Sequence, residues 1–188
     1  QVRNSVIILM FLVFSKNFYT AGISNYFQFY TIKTFGFTNA EAQLYLFYYL
    51  GAAAAGTLIG GFFGDRVGRK FIIWFSILGA APFALWLPYA DAKTTAVLVV
   101  LIGFIISSAF ASILVYAQEL LPKKIGMISG VFYGFAFGMA GLGSAVLGKL
   151  IDMTSITFVY KVCSFLPLMG LTAYFLPNLR KVKTKLSE

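Results

Sequence analysis

The side chains able to do chemistry in this sequence are few, and most are charges set against an apolar background. The stretch GDRVGRK, residues 64–70, puts Asp65, Arg66, Arg69 and Lys70 between the nearly uncharged runs LFYYLGAAAAGTLIGGFF and FIIWFSILGAAPFALWLPYA. Lys16 stands by itself, about eleven residues into another apolar stretch and too deep to reach its end easily. The chemistry open to such residues is electrostatic. A buried ammonium attracts an anion, and an arginine beside carboxylates makes a latch that can open and close. Catalysis suits them poorly: the chain has no His, a single Cys at 163, and no pair of carboxylates at depth. An enzyme is therefore not expected, nor a disulfide, a metal site or a cofactor.

Membrane-spanning helices must hold these charges. Of 188 residues, 60% are hydrophobic and only 11% charged, too few charges to clothe a water-soluble domain. The apolar runs lack the alternation of barrel strands, so the predicted fold class is all-α, a polytopic membrane bundle. Six segments reach the length of about 20 residues that a bilayer requires: 5–30, 41–63, 71–89, 95–121, 127–151 and 156–176. They read as a single six-helix unit over 1–188, with short connections throughout.

The net charge of +9 lies in those connections, which argues against nucleic acid and for orientation in a membrane. Arg3, Arg66, Arg69, Lys70, Lys123, Lys124, Arg180, Lys181, Lys183 and Lys185 fall on one side, against Lys33, Lys93 and Lys149 on the other. Both termini and the 64–70 loop are accordingly expected in the cytoplasm. Lys161, near the outer end of its span, is expected to snorkel to the interface. The chain starts Gln1-Val2-Arg3-Asn4, so it is expected to be a piece of a longer protein.

Two polar stripes emerge on helical projection. Lys16, Asn17, Thr20, Ser24 and Gln28 fall within an arc of roughly 120° on the first span, and Ser108, Ser112, Tyr116 and Glu119 form a narrow line on the fourth. The expectation is that both line one aqueous path. Two glycine faces accompany them, Gly56, Gly60 and Gly64 on the second span and Gly130, Gly134 and Gly138 on the fifth, each at spacing four. Such faces let helix backbones approach closely, so both are expected to pack helices. In the 64–70 loop, Gly68 permits a turn that a side chain would resist, Asp65 is expected near the positive end of the third helix, and Arg69 is free to pair with Glu119. A phosphate-cradling loop is excluded, since no strand precedes it and its charge includes Asp65.

The pattern Gly61-x-x-x-Asp65-Arg66-x-Gly68-Arg69-Lys70 resembles the signature loop between the second and third helices of a major facilitator superfamily repeat. FLVFSK at 11–16, SAFASILVYAQELLPKKIGMISG at 108–130, GFAFGMAGLGSAVLG at 134–148 and VYKVCSFLPL at 159–168 extend the likeness to the C-terminal half of fosmidomycin resistance proteins, which are drug exporters of the bacterial inner membrane thought to run on proton exchange. The resemblance implies two six-helix halves around a central cavity, with the first and fourth helices of each half lining it. It thus implies Lys16, Asn17, Thr20, Ser24, Gln28, Ser108, Ser112 and Tyr116 as cavity residues, and Asp65, Arg69 and Glu119 as a conformational clamp. It also implies an N-terminal six-helix half as partner, a small anionic substrate and protons. The sequence departs from the family at Ile125-Gly126, where many members carry an arginine before the glycine, and it has no carboxylate near a midplane. Two alternatives stay open: a homodimer of six-helix units, and a membrane scaffold that transports nothing.

Overall fold

The computed structural model describes residues 2–176. The order is α1 (Val2–Phe35), α2 (Asn39–Val67), α3 (Arg69–Trp86), α4 (Ala92–Leu120), α5 (Ile125–Met153) and α6 (Ile156–Cys163), the last continued by a 3₁₀ segment, Leu166–Phe175. Counting α6 with that extension, six helices are long and apolar enough to cross a membrane, and the described residues contain no strand. The fold is the all-α membrane bundle that the composition predicts. The break at Pro177 and the basic residues Arg180, Lys181, Lys183 and Lys185 lie outside the described residues.

Several helix ends are written in local chemistry. Gly36, at φ 68, closes α1 and donates its N–H to the Ile32 carbonyl at 3.0 Å. Thr38 opens α2 through a reciprocal cap: Glu41 N–H donates to Thr38 Oγ1 at 3.3 Å, and Thr38 N–H donates to Glu41 Oε2 at 2.8 Å. Gly68, at φ 117, occupies a region that a Cβ resists, so α2 stops and α3 starts within one residue. Helix α2 runs on to Val67, which corrects the placing of Asp65: it sits in the last turn of α2, at the negative end of a helix dipole, and not at the positive end of α3. The sixth span also departs from a plain helix. α6 stops at Cys163, and Pro167, which has no N–H to give, enters the 3₁₀ winding that completes the crossing.

The core divides into two layers. Toward the end where α1 finishes, Tyr19, Ile23, Phe27, Tyr30, Tyr49, Ile102 and Tyr160 pack together; toward the other end, Leu9, Leu12, Ile73, Ile77, Ile113, Tyr116 and Phe132 do so. Lys161 is exposed, its Nζ 5.1 Å from the Tyr89 ring centre, as expected of a snorkelling lysine. The helices differ sharply in how far they are covered. In the most apolar stretch of α2 and of α5 only 17% is buried, against 44–50% in the other four. Leu58 on α2 is 78% exposed and Phe137 on α5 is 74% exposed.

Candidate functional site

The glycine face of α2 is closed against α4. A Cβ on Gly56 would strike the Phe104 backbone, one on Gly60 would lie 2.5 Å from Ser108 Cα, and one on Gly64 would lie 2.6 Å from Ser112 Oγ. The paired positions climb together, so the two helices run parallel with their backbones in contact. Gly103 on α4 repeats the device from the other side, its would-be Cβ 2.7 Å from the Tyr49 carbonyl oxygen. Thr57 Oγ1 bridges the same seam by donating to Ala53 O at 2.9 Å and approaching Ser107 O at 3.4 Å.

That seam takes in part of the α4 stripe. Ser108 and Ser112 face α2 and α3: the Ser108 hydroxyl donates to Ile105 O at 2.6 Å and meets Ser76 Oγ of α3, while Ser112 is 2% exposed. Tyr116 is 1% exposed within the core. Within this bundle these residues fill helix contacts, Tyr116 among Leu9 and Leu12 of α1. For Ser108 and Ser112 the physical reason is the α2 glycines, which bring that helix directly over them.

Lys16 meets a different face of α4. Its side chain is 7% exposed, and Nζ lies 4.9 Å from the centre of the Phe110 ring. At about 100° per residue, Phe110 lies on the opposite side of the helix from Ser108, Ser112 and Glu119. No carboxylate among the described residues forms an ion pair with Lys16. The Phe110 ring in turn packs edge-on against Tyr133 of α5 at 5.6 Å, and Tyr133 stacks on the exposed Phe137 at 6.4 Å. A row of rings thus leads from the buried ammonium to the bare face of α5.

The remaining residues of the α1 stripe stay near Lys16 but are mostly occupied locally. Thr20 Oγ1 donates to Lys16 O at 2.5 Å and Asn17 Nδ2 to Val13 O at 2.8 Å. Thr20 and Ser24 lie beside the buried Tyr49 hydroxyl of α2, and Gln28 is half-buried one turn on. Sequence reasoning missed Tyr49 and Phe110 because a single aromatic side chain in an apolar run, outside any polar stripe, carries no signal of what it meets. It also missed Asn25 and Ser144, whose 2.7 Å hydrogen bond ties α1 to α5, although an asparagine inside a span was visible.

The charge cluster is assembled at the far end of the α2–α4 seam. Arg69 Nη2 lies 2.7 Å from Asp65 Oδ1, and Nη1 lies 2.6 Å from Glu119 Oε1, so one guanidinium bridges the last turns of α2 and α4. Its neighbours serve elsewhere. Arg66 lies over Phe62 at 4.3 Å, Lys70 Nζ donates to Tyr174 O at 2.9 Å, and Gly61 faces Ala111 at ordinary contact distance.

The α5 glycines differ from those of α2. Among the described residues, nothing lies within 4 Å of a Cβ added at Gly130, Gly134 or Gly138, and all three are exposed. The expectation that they pack helices is not met within this bundle, because α1 meets α5 further along, at Gly143 against Phe18 and Gly148 against Tyr26.

A six-helix membrane bundle with an Asp–Arg–Glu bridge at one end and a lysine buried at depth is the architecture of half a membrane carrier. The family model of the Major Facilitator Superfamily matches residues 3–188, and the chain belongs to that family. It is 60% identical over 182 residues to the fosmidomycin resistance protein of Escherichia coli (strain K12), covering 95% of this chain and 45% of that protein. It is 40% identical over 161 residues to an uncharacterized MFS-type transporter, YfnC, of Bacillus subtilis (strain 168), covering 86% of this chain and 39% of that one. A cis,cis-muconate transport protein of Acinetobacter baylyi (strain ATCC 33305 / BD413 / ADP1) is 27% identical over 66% of this chain and 30% of its own length. The chain therefore spans less than half the length of the curated relatives it matches.

Proposed function

We infer that this chain is the C-terminal six-helix half of a secondary transporter that exports small anionic drug-like compounds, fosmidomycin among them, across the bacterial inner membrane. Lys16 carries the reading. A buried ammonium with no carboxylate partner among the described residues is costly in a membrane. An anionic cargo that reaches it supplies the missing charge. The likeness to a fosmidomycin resistance protein supports this substrate class.

The N-terminal half is the partner, and it docks on the bare faces of α2 and α5, with Gly130, Gly134 and Gly138 allowing a close approach that can slide. Rocking of one half on the other exposes the cavity alternately to each side. Asp65, Arg69 and Glu119 latch one of the two states. Protons drive export, and their carrier lies in the other half, because Asp65 and Glu119 sit at one end of this bundle and Glu41, Asp91 and Asp152 at the other. Both termini face the cytoplasm, in line with the distribution of lysine and arginine.

The test uses the complete transporter. Lys16→Ala should abolish resistance and vesicle transport of labelled fosmidomycin at normal membrane abundance, and Lys16→Arg should keep part of both. Full resistance in Lys16→Ala would remove the substrate role.

A further inference from the structure

A cavity of about 760 Å³ lies at the end of the bundle opposite Arg69, between the last turns of α1 and α5 and the start of α6. It is on the side of α1 away from the Lys16 stripe, and nothing in the transport reading uses it. Its lining combines Lys33, Asp152, Thr154 and Ser155 with the aromatic rings of Tyr26 and Phe29. Lys33 and Asp152 are both exposed, and their charged atoms stand further apart than the 4.0 Å of an ion pair. Two opposite charges share one concavity without neutralising each other.

We propose that this cavity binds the headgroup of a zwitterionic phospholipid bearing a primary amine, phosphatidylethanolamine in chemical class, with its phosphate on Lys33 and its ammonium on Asp152. The charge pattern selects the class. A net-anionic headgroup meets repulsion from Asp152, and a cationic one meets repulsion from Lys33. A trimethylated choline head carries the same charges but has no N–H to donate to the carboxylate, so it binds more weakly.

Position selects the source. Lys33 stands in the last turn of α1 and Asp152 one residue before the end of α5, so both charges lie at the membrane surface where headgroups are concentrated. Phe29, 62% exposed, and Ile32 offer apolar contact for the glycerol and upper acyl region. Thr154 Oγ1 donates to Leu150 O at 2.6 Å and Ser155 Oγ accepts from Phe158 N–H at 3.2 Å. The Thr154 oxygen remains an acceptor for the ammonium and the Ser155 O–H a donor to phosphate.

The experiment is native mass spectrometry of the complete transporter, purified, delipidated and offered equal amounts of phosphatidylethanolamine, phosphatidylcholine and phosphatidylglycerol. The wild type should retain phosphatidylethanolamine in preference to both others. Lys33→Gln should weaken that retention about tenfold, the effect of losing one charge-assisted hydrogen bond. Asp152→Asn should move the preference toward phosphatidylglycerol, because the repulsion of an anionic head is gone. That change of preference is a readout that mere loss of folding does not produce, and thermal unfolding of each variant checks the fold. Equal retention of the three lipids, or a preference that neither substitution alters, overturns the proposal. Equally tight binding of free O-phosphoethanolamine, with no gain from acyl chains, overturns the lipid assignment in favour of a soluble zwitterion.

Discussion

Helices α2 and α5 carry the same sequence device, three glycines at spacing four, and the structure treats them in opposite ways. On α2 the glycines meet α4, Gly56 and Gly60 its backbone and Gly64 the Ser112 hydroxyl; on α5 they meet nothing among the described residues. Yet the two helices are alike in being the least covered of the six. A small-residue face states how near another backbone can come, and says nothing about whose backbone it is. α2 spends its glycines inside the half and offers Leu58 and its neighbours outward, whereas α5 keeps its glycines for the outside.

The largest expected effect breaks the filled seam. Gly60→Leu should prevent correct packing of α2 on α4, at about 3 kcal/mol or more, since Ser108 backbone would have to move. Thermal unfolding and limited proteolysis of the complete transporter read this, and a normal melt would show that the seam is looser than described. The next effect concerns the bridge at the end of that seam. A double-mutant cycle on Arg69→Ala and Glu119→Gln should give a coupling of about 1 kcal/mol in stability, as befits a partly exposed pair. The same two variants should shift which face of the cavity is open, measured by labelling of engineered cysteines at either mouth. Unchanged labelling would leave the bridge a fastening with no part in switching.

The open stripe gives a smaller and differently shaped result. Gly134→Ala should raise thermal stability by up to about 1 kcal/mol, through the better helix propensity of alanine, because no described atom of this bundle is in the way. It should nonetheless lower transport several-fold if the other half slides on this face; unaffected transport would place the docking surface elsewhere. Smallest is Ser112→Ala. The Ser112 hydroxyl is buried without a hydrogen-bond partner among the described residues, so its removal should be neutral or stabilise by up to about 1 kcal/mol, with transport intact. Loss of transport at full stability would return Ser112 to the cavity.

How much was legible varies residue by residue. The turn at Gly68 depends on neighbours within a few positions, and reading along the chain found it; the caps at Gly36 and Thr38 are as local, but the sequence reading did not name them. Asp65 was misplaced by a few residues because apolar composition marks where a span leaves the hydrocarbon, while the helix itself continues into the headgroup layer. The α1 stripe was sound as an angular statement about one helix. The α4 stripe was equally sound as a projection, but which neighbours Ser108 and Ser112 meet, here α2 and α3, was not legible, since rotation of a helix in its bundle is fixed by its contacts.

By itself, then, the sequence determined the class of fold, the number of crossings and the side chains that carry charge. Those follow from the cost of exposing backbone and charge to lipid, which each segment meets alone. Tertiary structure alone decided which glycines are filled, and that Lys16 rests on Phe110 while Ser108 and Ser112 are sealed between helices. In a membrane the apolar surround gives helices no hydrophobic reason to choose one face over another. The choice is left to the fit of small residues against a particular backbone, and that fit exists only once two helices have met.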